Sequence, residues 1–419
     1  MTLFVNKDAP ELVTPSEPTP SVHLPLSDHV DRSPIMRHFM DVIIVFKQGN
    51  EAAQAIRGAL AKALVPYYPV AGRIAADTDG SLGVACTGEG VWFVKASSES
   101  RLEDVDYLKQ EPLAVPREQL LPSPPEGTDL LALPIVLQVT QFKCGGFALG
   151  MKFNHAFFDG RGVGQFIGAV GEMARGLLEP TVKPVWCRDI LVNPIPNFPS
   201  TDHLHLIDFQ TRLVFSLIDI PQDRIERQKN GFAKETGQTC TTFDVVVAKL
   251  WRSRARVIDL KPDDVVSFTS LVSIRHLHEE LPTEGGYYGN CLYPIVIEAT
   301  REQIADGSFF DVVKIVKEAK ESLPTKYSKS LKGIEQPPVA KPNYGYLALV
   351  DWRRLGLYEA DFGWGEPNHI VPFTEHIGSY SIACILNSAA PKKGTCVMTY
   401  AVREEHEEAF LSEMNRWSA

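Results

Sequence analysis

Residues 147–165 read FALGMKFNHAFFDGRGVGQ, and the two halves of this segment have different periodicities. Over 147–154, large apolar residues alternate with small or polar ones, a period of two that predicts a β-strand. His155 stands where the alternation ends, and Asp159 then opens a glycine-rich segment that leads into a helical pattern over 163–175. The sequence therefore predicts a strand, a glycine-rich turn and a helix, with a histidine held at the end of the strand.

A histidine at a strand end between apolar residues has the properties of a general base. Partial burial disfavours the imidazolium, so the imidazole stays neutral near pH 7. As metal ligands, His155 and Asp159 would need a third partner, and no H-E-x-x-H motif or cysteine cluster is present. A serine hydrolase would need a G-x-S-x-G motif, which the chain lacks. The remaining alternative for His155 is a core histidine whose hydrogen bonds are satisfied.

A second alternative is a thioester mechanism through Cys144. This residue precedes Gly145 and Gly146 in the same predicted hairpin as His155, as a cysteine nucleophile beside its base would. A small buried or edge thiol is the structural alternative for such a position, because free cysteines are usually buried.

Composition and charge limit the class of protein. The chain has 419 residues, of which 44% are hydrophobic and 22% are charged, as in ordinary folded enzymes. This length exceeds what one hydrophobic core usually supports, so two domains are expected. The net charge of −10 and the lack of a basic stripe argue against a nucleic acid partner. No apolar run approaches the roughly twenty residues that cross a bilayer, so membrane insertion is not expected.

The cysteines and the N-terminus indicate a reducing compartment. The seven cysteines are scattered and never form a C-x-x-C pair, which predicts neither a zinc site nor a disulfide framework. The N-terminal segment contains acidic residues and prolines but no basic region followed by an apolar one, so no secretory signal is expected. The sequence therefore predicts a cytoplasmic protein.

Prolines mark the expected crossover between two halves of the chain. Residues 180–202 contain five prolines, too many for a packed helix or strand. We expect three parts: an N-terminal domain over 1–185, a crossover loop over 186–210, and a C-terminal domain over 211–419, of which a segment near 361–385 packs with the first domain. In the second half, helical patterns predict helices over 242–256 and 309–321, and a proline-rich loop is expected from there to Pro342.

Five short motifs occur along the chain and together resemble one family. Three lesser features are Tyr-Pro-x-Ala-Gly-Arg at 68–73, Gln-Val-Thr at 138–140 and Tyr-x-Gly-Asn at 287–290. The two signature motifs are His-x-x-x-Asp-Gly at 155–160 and Asp-Phe-Gly-Trp-Gly, formed by Asp361, Phe362, Gly363, Trp364 and Gly365. In this set and order they resemble the BAHD family of plant acyl-CoA-dependent acyltransferases, and the resemblance covers essentially the whole chain.

The resemblance implies a fold and a mechanism. The fold is α/β with two domains, each a mixed β-sheet flanked by helices as in chloramphenicol acetyltransferase, and a solvent channel runs between the domains. The implied protein is a monomer that takes acyl-CoA and a small alcohol as substrates and needs no metal or other cofactor. In the family, the histidine matched by His155 removes a proton from the acceptor, and the freed atom attacks the thioester carbonyl without an acyl-enzyme. This agrees with a single neutral base.

The resemblance also implies supporting roles around His155. Asp159 and Gly160 support the catalytic turn, and Asp159 is expected to pair with Arg275 and to point away from the substrate. The Asp-Phe-Gly-Trp-Gly loop is expected to be structural, without substrate contact.

Other residues are matched to the substrates. Trp352 and Val350 match a Thr-x-Trp segment that assists the thioester oxygen, with valine in place of the hydroxyl-bearing residue. The stretch 26–31 resembles a Leu-Ser-x-x-Asp element near the acceptor mouth, with one extra residue before Asp31. Neighbouring residues are expected to line that mouth: Ser33, Ile35, Met36, Arg37 and Arg354. The candidates for the CoA phosphates are Arg252, Ser253 and Arg254, for which a solvated helix face is the alternative.

The sequence around the second motif, EADFGWGEPNHIVPF, resembles that of the alcohol-acylating branch of the family. It predicts transfer of an aromatic acyl group, hydroxycinnamoyl or benzoyl, to a small phenylpropanoid alcohol such as a monolignol. The enzymatic alternatives are N-acylation of polyamines or aromatic amines and a hydroxycinnamoyl-CoA shikimate/quinate-type transfer. The non-enzymatic alternative is a catalytically silent binding protein of the same fold.

Overall fold

The structure is a computed structural model that describes residues 4–27, 31, 36–76, 81–109, 113, 115–191, 213–282, 285–336, 343–374 and 381–417. Its strands in chain order are β1 Val5–Lys7, β2 Glu11–Val13, β3 His23–Pro25, β4 Phe39–Phe46, β5 Arg73–Ala76, β6 Leu82–Ala85, β7 Val91–Ser98, β8 Ile135–Phe142, β9 Phe147–Asn154, β10 Ser216–Pro221, β11 Val265–Ser273, β12 Leu292–Thr300, β13 Tyr346–Asp351, β14 His369–Thr374, β15 Ile382–Asn387 and β16 Gly394–Tyr400. Its α-helices are α1 Ala52–Ala63, α2 Arg117–Leu120, α3 Gly160–Ala174, α4 Gln222–Thr236, α5 Thr242–Val257, α6 Arg301–Ala305, α7 Phe309–Glu321, α8 Leu323–Leu331 and α9 Glu407–Asn415.

The chain divides into two compact units that do not follow chain order. The first unit comprises 1–193, 278–291 and 354–375, and the second comprises 194–277, 292–353 and 376–419. Contacts thus assign two stretches of the second half to the first unit. The division into an N-terminal and a C-terminal domain stays a prediction.

The first unit is built on a mixed sheet with the strand order β1-β7-β8-β9-β4-β14, and β2 also pairs with β7. The β7–β8 pair is parallel, and the β8–β9, β9–β4 and β4–β14 pairs are antiparallel. Strands β4 and β9 are buried along almost their whole length, because each lies between two other strands and is covered on both faces. Strands β3, β6 and β5 form a small second sheet, and helices α1 and α3 pack against each other.

The second unit has a mixed sheet with the order β10-β16-β15-β13-β11-β12, in which β13 is parallel to both of its neighbours. Helix α5 covers this sheet through Trp251, whose ring lies 6.0 Å from that of Phe268 on β11. Capping boxes start three of the described helices, at Thr241 for α5, at Thr300 for α6 and at Ser308 for α7. Each unit is a mixed sheet with helices, so the predicted fold class is confirmed.

Candidate active site

His155 directly follows β9. Its backbone N–H donates a hydrogen bond to the carbonyl oxygen of His38 at 2.9 Å, one position beyond the last β4–β9 pair. The chain then turns, because the side-chain oxygen of Asn154 accepts a hydrogen bond from the N–H of Ala156 at 3.0 Å. Asparagine commonly forms turns in this way. The structure therefore places the histidine on the rigid end of a central strand, as the alternation predicts.

The surroundings of the imidazole favour its neutral form. His155 is half-buried, and its enclosed Nδ1 atom makes no hydrogen bond with any residue that the structure describes. Burial lowers the pKa of His155 below the ordinary value. Its own backbone, Asp159, Asn290 and Asp31 exert smaller opposing effects that do not reverse the shift. A histidine with a lowered pKa is neutral near pH 7 and can accept a proton.

Asp159 is buried and caps the N-terminus of α3. Its Oδ1 accepts a hydrogen bond from the N–H of Gly162 at 2.8 Å, and its Oδ2 accepts one from the N–H of Cys291 at 3.3 Å. A carboxylate at this position satisfies a free N–H group and interacts favourably with the helix dipole. Asp159 thus fixes the start of α3, four residues after His155. The pairing of Asp159 with Arg275, a residue of the second unit, stays a prediction.

The glycines after Asp159 lie within α3, so their interpretation as a turn is wrong. Gly160 is the first residue of the helix. A Cβ atom at Gly162 would come 1.9 Å from the carbonyl oxygen of Tyr288, and one at Gly164 would come 1.8 Å from that of Leu355. These glycines allow the stretches 278–291 and 354–375 to pack directly on the helix backbone, a close approach that other residues would prevent.

Three buried polar residues contact the backbone beside His155. Asn290 donates a hydrogen bond from Nδ2 to the carbonyl oxygen of His155 at 2.7 Å. Arg188 donates to the carbonyl oxygens of the next two residues, at 3.3 Å for the first of them. Asp31 accepts hydrogen bonds from both side chains, from Arg188 at 2.7 Å and from Asn290 at 2.8 Å. The motifs in the sequence do not predict this network.

The sequence held a partial signal for two of the three. Asn290 ends the Tyr-x-Gly-Asn motif, and Asp31 ends the stretch that was expected at the acceptor mouth. The structure places Asp31 in the interior, where its side chain is fully buried. Arg188 lies within the proline-rich region 180–202 and belongs to no motif, so no local pattern could have indicated it.

The Asp-Phe-Gly-Trp-Gly loop is held by its own aspartate. Asp361 Oδ1 accepts hydrogen bonds from the N–H groups of Gly363 and Gly365, at 2.8 and 2.9 Å. Both glycines have positive φ angles, 104° and 89°, which glycine adopts at little cost. The guanidinium of Arg175 donates to the Asp361 carbonyl oxygen. These contacts support a structural role for the loop.

The aromatic residues of this loop pack on the ends of β4 and β9. The Phe362 ring lies 5.5 Å from that of Phe46, and the Trp364 ring lies 5.8 Å from that of Phe147, both edge to face. A recess of about 500 Å³ lies beside the loop, and His155 does not line it. Its lining residues are Gln48, Gly49, Asn50, Cys144, Gly145, Gly363, Trp364 and Gly365.

Cys144 and His155 lie at opposite ends of the β8–β9 hairpin. The sulfur of Cys144 accepts a hydrogen bond from the N–H of Leu102 at 3.4 Å in the turn before β9. The strand between the two residues has eight residues, which span roughly 25 Å at the ordinary rise of a strand. A cysteine nucleophile and its base must lie within hydrogen-bond distance of each other. The geometry therefore excludes His155 as the activating base of Cys144.

The residues predicted at the acceptor mouth are placed unevenly. Ser33 and Ile35 lie outside the described residues. Met36 is buried, whereas Arg37 and Arg354 are exposed. Their role stays a prediction.

The predicted oxyanion residues belong to the second unit. Val350 is half-buried on β13, where it pairs with Cys384 of β15. Trp352 is buried just after β13, and its backbone N–H donates to the carbonyl oxygen of Ile385 at 2.9 Å. The part that either residue plays in catalysis stays a prediction.

The candidates for the CoA phosphates lie on α5. Arg254 is buried and donates to the carbonyl oxygen of Ala401 at 2.7 Å and to Oγ of Ser381 at 2.9 Å. Ser253 is also buried, and half-buried Arg252 donates to a backbone carbonyl at 2.7 Å. The buried Arg254 guanidinium packs within the second unit. The part that these three residues play in binding CoA stays a prediction.

Two features are absent from the described part of the chain. No helix in it has the length and apolarity to cross a membrane. Within the same ranges, no three side chains of His, Cys, Asp or Glu are grouped so that they could hold a metal ion.

The two mixed α/β units and the histidine held on a strand end agree with the class of acyl-CoA-dependent acyltransferases that the motifs resemble. The family model described as Transferase family matches residues 3–416. The chain therefore belongs to the BAHD acyltransferases, in which acyl-CoA is a substrate and no cofactor is needed.

The chain is similar to proteins of known activity and structure. Two myricetin 3-O-glucosyl 1,2-rhamnoside 6'-O-caffeoyltransferases of Crocosmia x crocosmiiflora, AT1 and AT2, are 53% and 52% identical to it, over 99% of this chain and 99% of their own. Among solved structures, vinorine synthase has a TM-score of 0.74 at 21% identity, covering 97% of this chain and 96% of its own. The structural match shows the same fold.

Proposed function

We propose that the protein transfers a hydroxycinnamoyl group from its CoA thioester to a hydroxyl group, with His155 as the general base. The observation that carries the base assignment is the half-buried imidazole on the end of β9, whose pKa burial lowers. The acyl group is proposed from the two caffeoyltransferases, which are similar to this chain over nearly its whole length.

In the proposed reaction one imidazole handles one proton. The Nδ1 atom is enclosed, which leaves Nε2 to accept the proton of the acceptor hydroxyl. The alkoxide oxygen attacks the thioester carbonyl carbon, and the C–S bond of the resulting tetrahedral adduct breaks. The imidazolium then returns its proton to the departing CoA thiolate. The acyl group passes directly between the substrates, so the protein holds no covalent intermediate.

For the acceptor we propose a flavonol glycoside. The names of the two caffeoyltransferases specify such a molecule, a myricetin carrying two sugars, as the compound that is acylated. The monolignol predicted from the sequence alone is the competing O-acceptor, and a polyamine or aromatic amine is the competing N-acceptor. A cytoplasmic monomer remains part of the proposal.

Pairing each of several acyl-CoA donors with each of several acceptors tests this function. Caffeoyl-, p-coumaroyl-, benzoyl- and acetyl-CoA are each combined with a flavonol 3-O-glycoside, coniferyl alcohol, shikimate and spermidine, and the products are identified by mass. We expect the highest kcat/KM for a hydroxycinnamoyl-CoA with the glycoside. Faster acylation of coniferyl alcohol, shikimate or spermidine would overturn the acceptor assignment, and faster use of benzoyl- or acetyl-CoA would overturn the donor assignment. No product from any pair would favour a silent binding protein.

A further inference from the structure

Three consecutive carbonyl groups, beginning at His155, are bound by two buried side chains. Asn290 donates to the carbonyl oxygen of His155 at 2.7 Å. The two terminal nitrogens of the Arg188 guanidinium donate hydrogen bonds to the carbonyl oxygens of the next two residues, Ala156 and Phe157. The backbone that carries the imidazole is therefore fixed from outside the turn, in addition to the bonds that the turn makes with itself.

Asp31 joins the two donors into one network. Its Oδ2 accepts from Arg188 at 2.7 Å and from the N–H of Ser27 at 3.1 Å, and its Oδ1 accepts from Asn290 at 2.8 Å. The side chains of Asp31 and Arg188 are fully buried, and Asn290 is buried as well. Trp186 also holds the guanidinium, which lies 4.2 Å from the centroid of its ring.

A buried ion pair is a poor means of stabilising a fold. Removing both charges from water costs free energy that their attraction often does not recover, so apolar residues of the same size are frequently as good. A planar guanidinium, however, holds two acceptors in a fixed geometry, which apolar residues cannot do. The network is thus better suited to setting the position of a backbone than to adding stability.

We propose that Asp31, Arg188 and Asn290 are positioning residues that fix the backbone of 155–157 and thereby hold the His155 imidazole in its reactive orientation. The inference rests on the proposed role of His155. A misplacement of about 1 Å at a reacting group can lower a rate by about a hundredfold. We therefore expect the loss of one hydrogen bond in this network to lower the rate by shifting His155.

The test compares variants in two backgrounds. Asn290→Ala removes the donor to the His155 carbonyl and leaves the Asp31–Arg188 pair in place. Arg188→Lys keeps the charge opposite Asp31 but lacks the fork that reaches two carbonyls. Each is made in the otherwise natural chain and in His155→Ala, and kcat and the KM for caffeoyl-CoA are measured with the preferred acceptor. Residual rates in the second background are followed by product mass over long incubations.

The matched control is Asp41→Asn. Asp41 on β4 is a buried carboxylate that pairs with Lys152 on β9 at 2.9 Å, in the same unit but outside the network. We expect this variant to lose thermal stability with kcat within about twofold of the natural protein, since nothing that holds the turn has changed.

We expect Asn290→Ala and Arg188→Lys to lower kcat by about ten- to a hundredfold with little change in KM, and to have less than about a twofold effect when His155 is already alanine. Equal losses in both backgrounds, or losses no larger than that of the control, would overturn the positioning role. If one variant does not fold, the other decides. Retention of activity by His155→Ala would overturn the proposed function together with this inference. Equal losses in both backgrounds, with His155→Ala itself impaired, would overturn only this inference.

Discussion

The carboxylate of Asp159 accepts a hydrogen bond from the backbone N–H of Gly162 at 2.8 Å. Because its other oxygen accepts from the N–H of Cys291, Asp159→Ala removes a helix cap and also an acceptor of a second buried N–H group. We expect a loss of about 2–4 kcal/mol in the free energy of unfolding, measured by chemical denaturation. Asp159→Asn keeps an oxygen acceptor for the cap and should lose less. Equal stability of the alanine variant and the natural protein would contradict this role.

The pairing of Asp159 with Arg275, implied by the family resemblance, is tested by a double-mutant cycle. If the two side chains form a buried pair, the stability losses of Asp159→Ala and Arg275→Ala should be coupled by more than about 1 kcal/mol. Additive losses would show that the two residues act independently.

The close approach at Gly162 predicts opposite effects for two glycines of α3. A Cβ at Gly162 would meet the Tyr288 carbonyl oxygen at 1.9 Å, so Gly162→Ala should destabilise the protein by about 1–3 kcal/mol or more. A Cβ at Gly168 would meet no described atom within 4 Å apart from its chain neighbours and its own helix backbone, so Gly168→Ala should stabilise the protein by about 0.5–1 kcal/mol. Melting temperatures that move in the same direction for both variants would contradict the packing described for this helix.

The local parts of the fold and site were readable from the sequence because they depend on short-range patterns. The alternation before His155 predicted β9, and the helix predicted over 309–321 coincides with α7. The predicted loop up to Pro342, in contrast, contains α8, Leu323–Leu331, because a proline in the first turn of a helix does not disrupt it.

The long-range parts of the site were not readable. Gly162 and Gly164 looked like turn residues because their neighbours, Tyr288 and Leu355, are distant in sequence. The partners of Arg188, which lie at Asp31 and at 156–157, are likewise far along the chain. Local periodicity carries no information about such contacts.

The lowered pKa of His155 predicts the pH dependence of activity. Burial lowers that pKa, while Asp159, Asn290 and Asp31 oppose the shift more weakly. The base is active when neutral, so kcat/KM should stay high as the pH falls through about 6.5, the ordinary histidine value, and should decline only below it. The measurement is a pH profile of kcat/KM over the range in which the protein remains folded. An acid limb centred at or above about 6.5 would contradict the assignment.

Cys144 should be dispensable, because β9 separates it from His155 by roughly 25 Å. We expect Cys144→Ala to retain kcat within about twofold. Intact-protein mass spectrometry after mixing the natural protein with caffeoyl-CoA alone should show no added acyl mass. A stable adduct on Cys144 would instead support a thiol mechanism.

The most direct test of the central claim is the kcat of His155→Ala with the preferred substrates. Loss of a positioned general base typically costs about a hundred- to ten-thousandfold in rate, and we expect a loss in that range. Thermal stability and the affinity for CoA should stay close to those of the natural protein, because the imidazole removes a proton and does not support the fold. Retention of more than about a tenth of the natural kcat would contradict the assignment of His155 as the base.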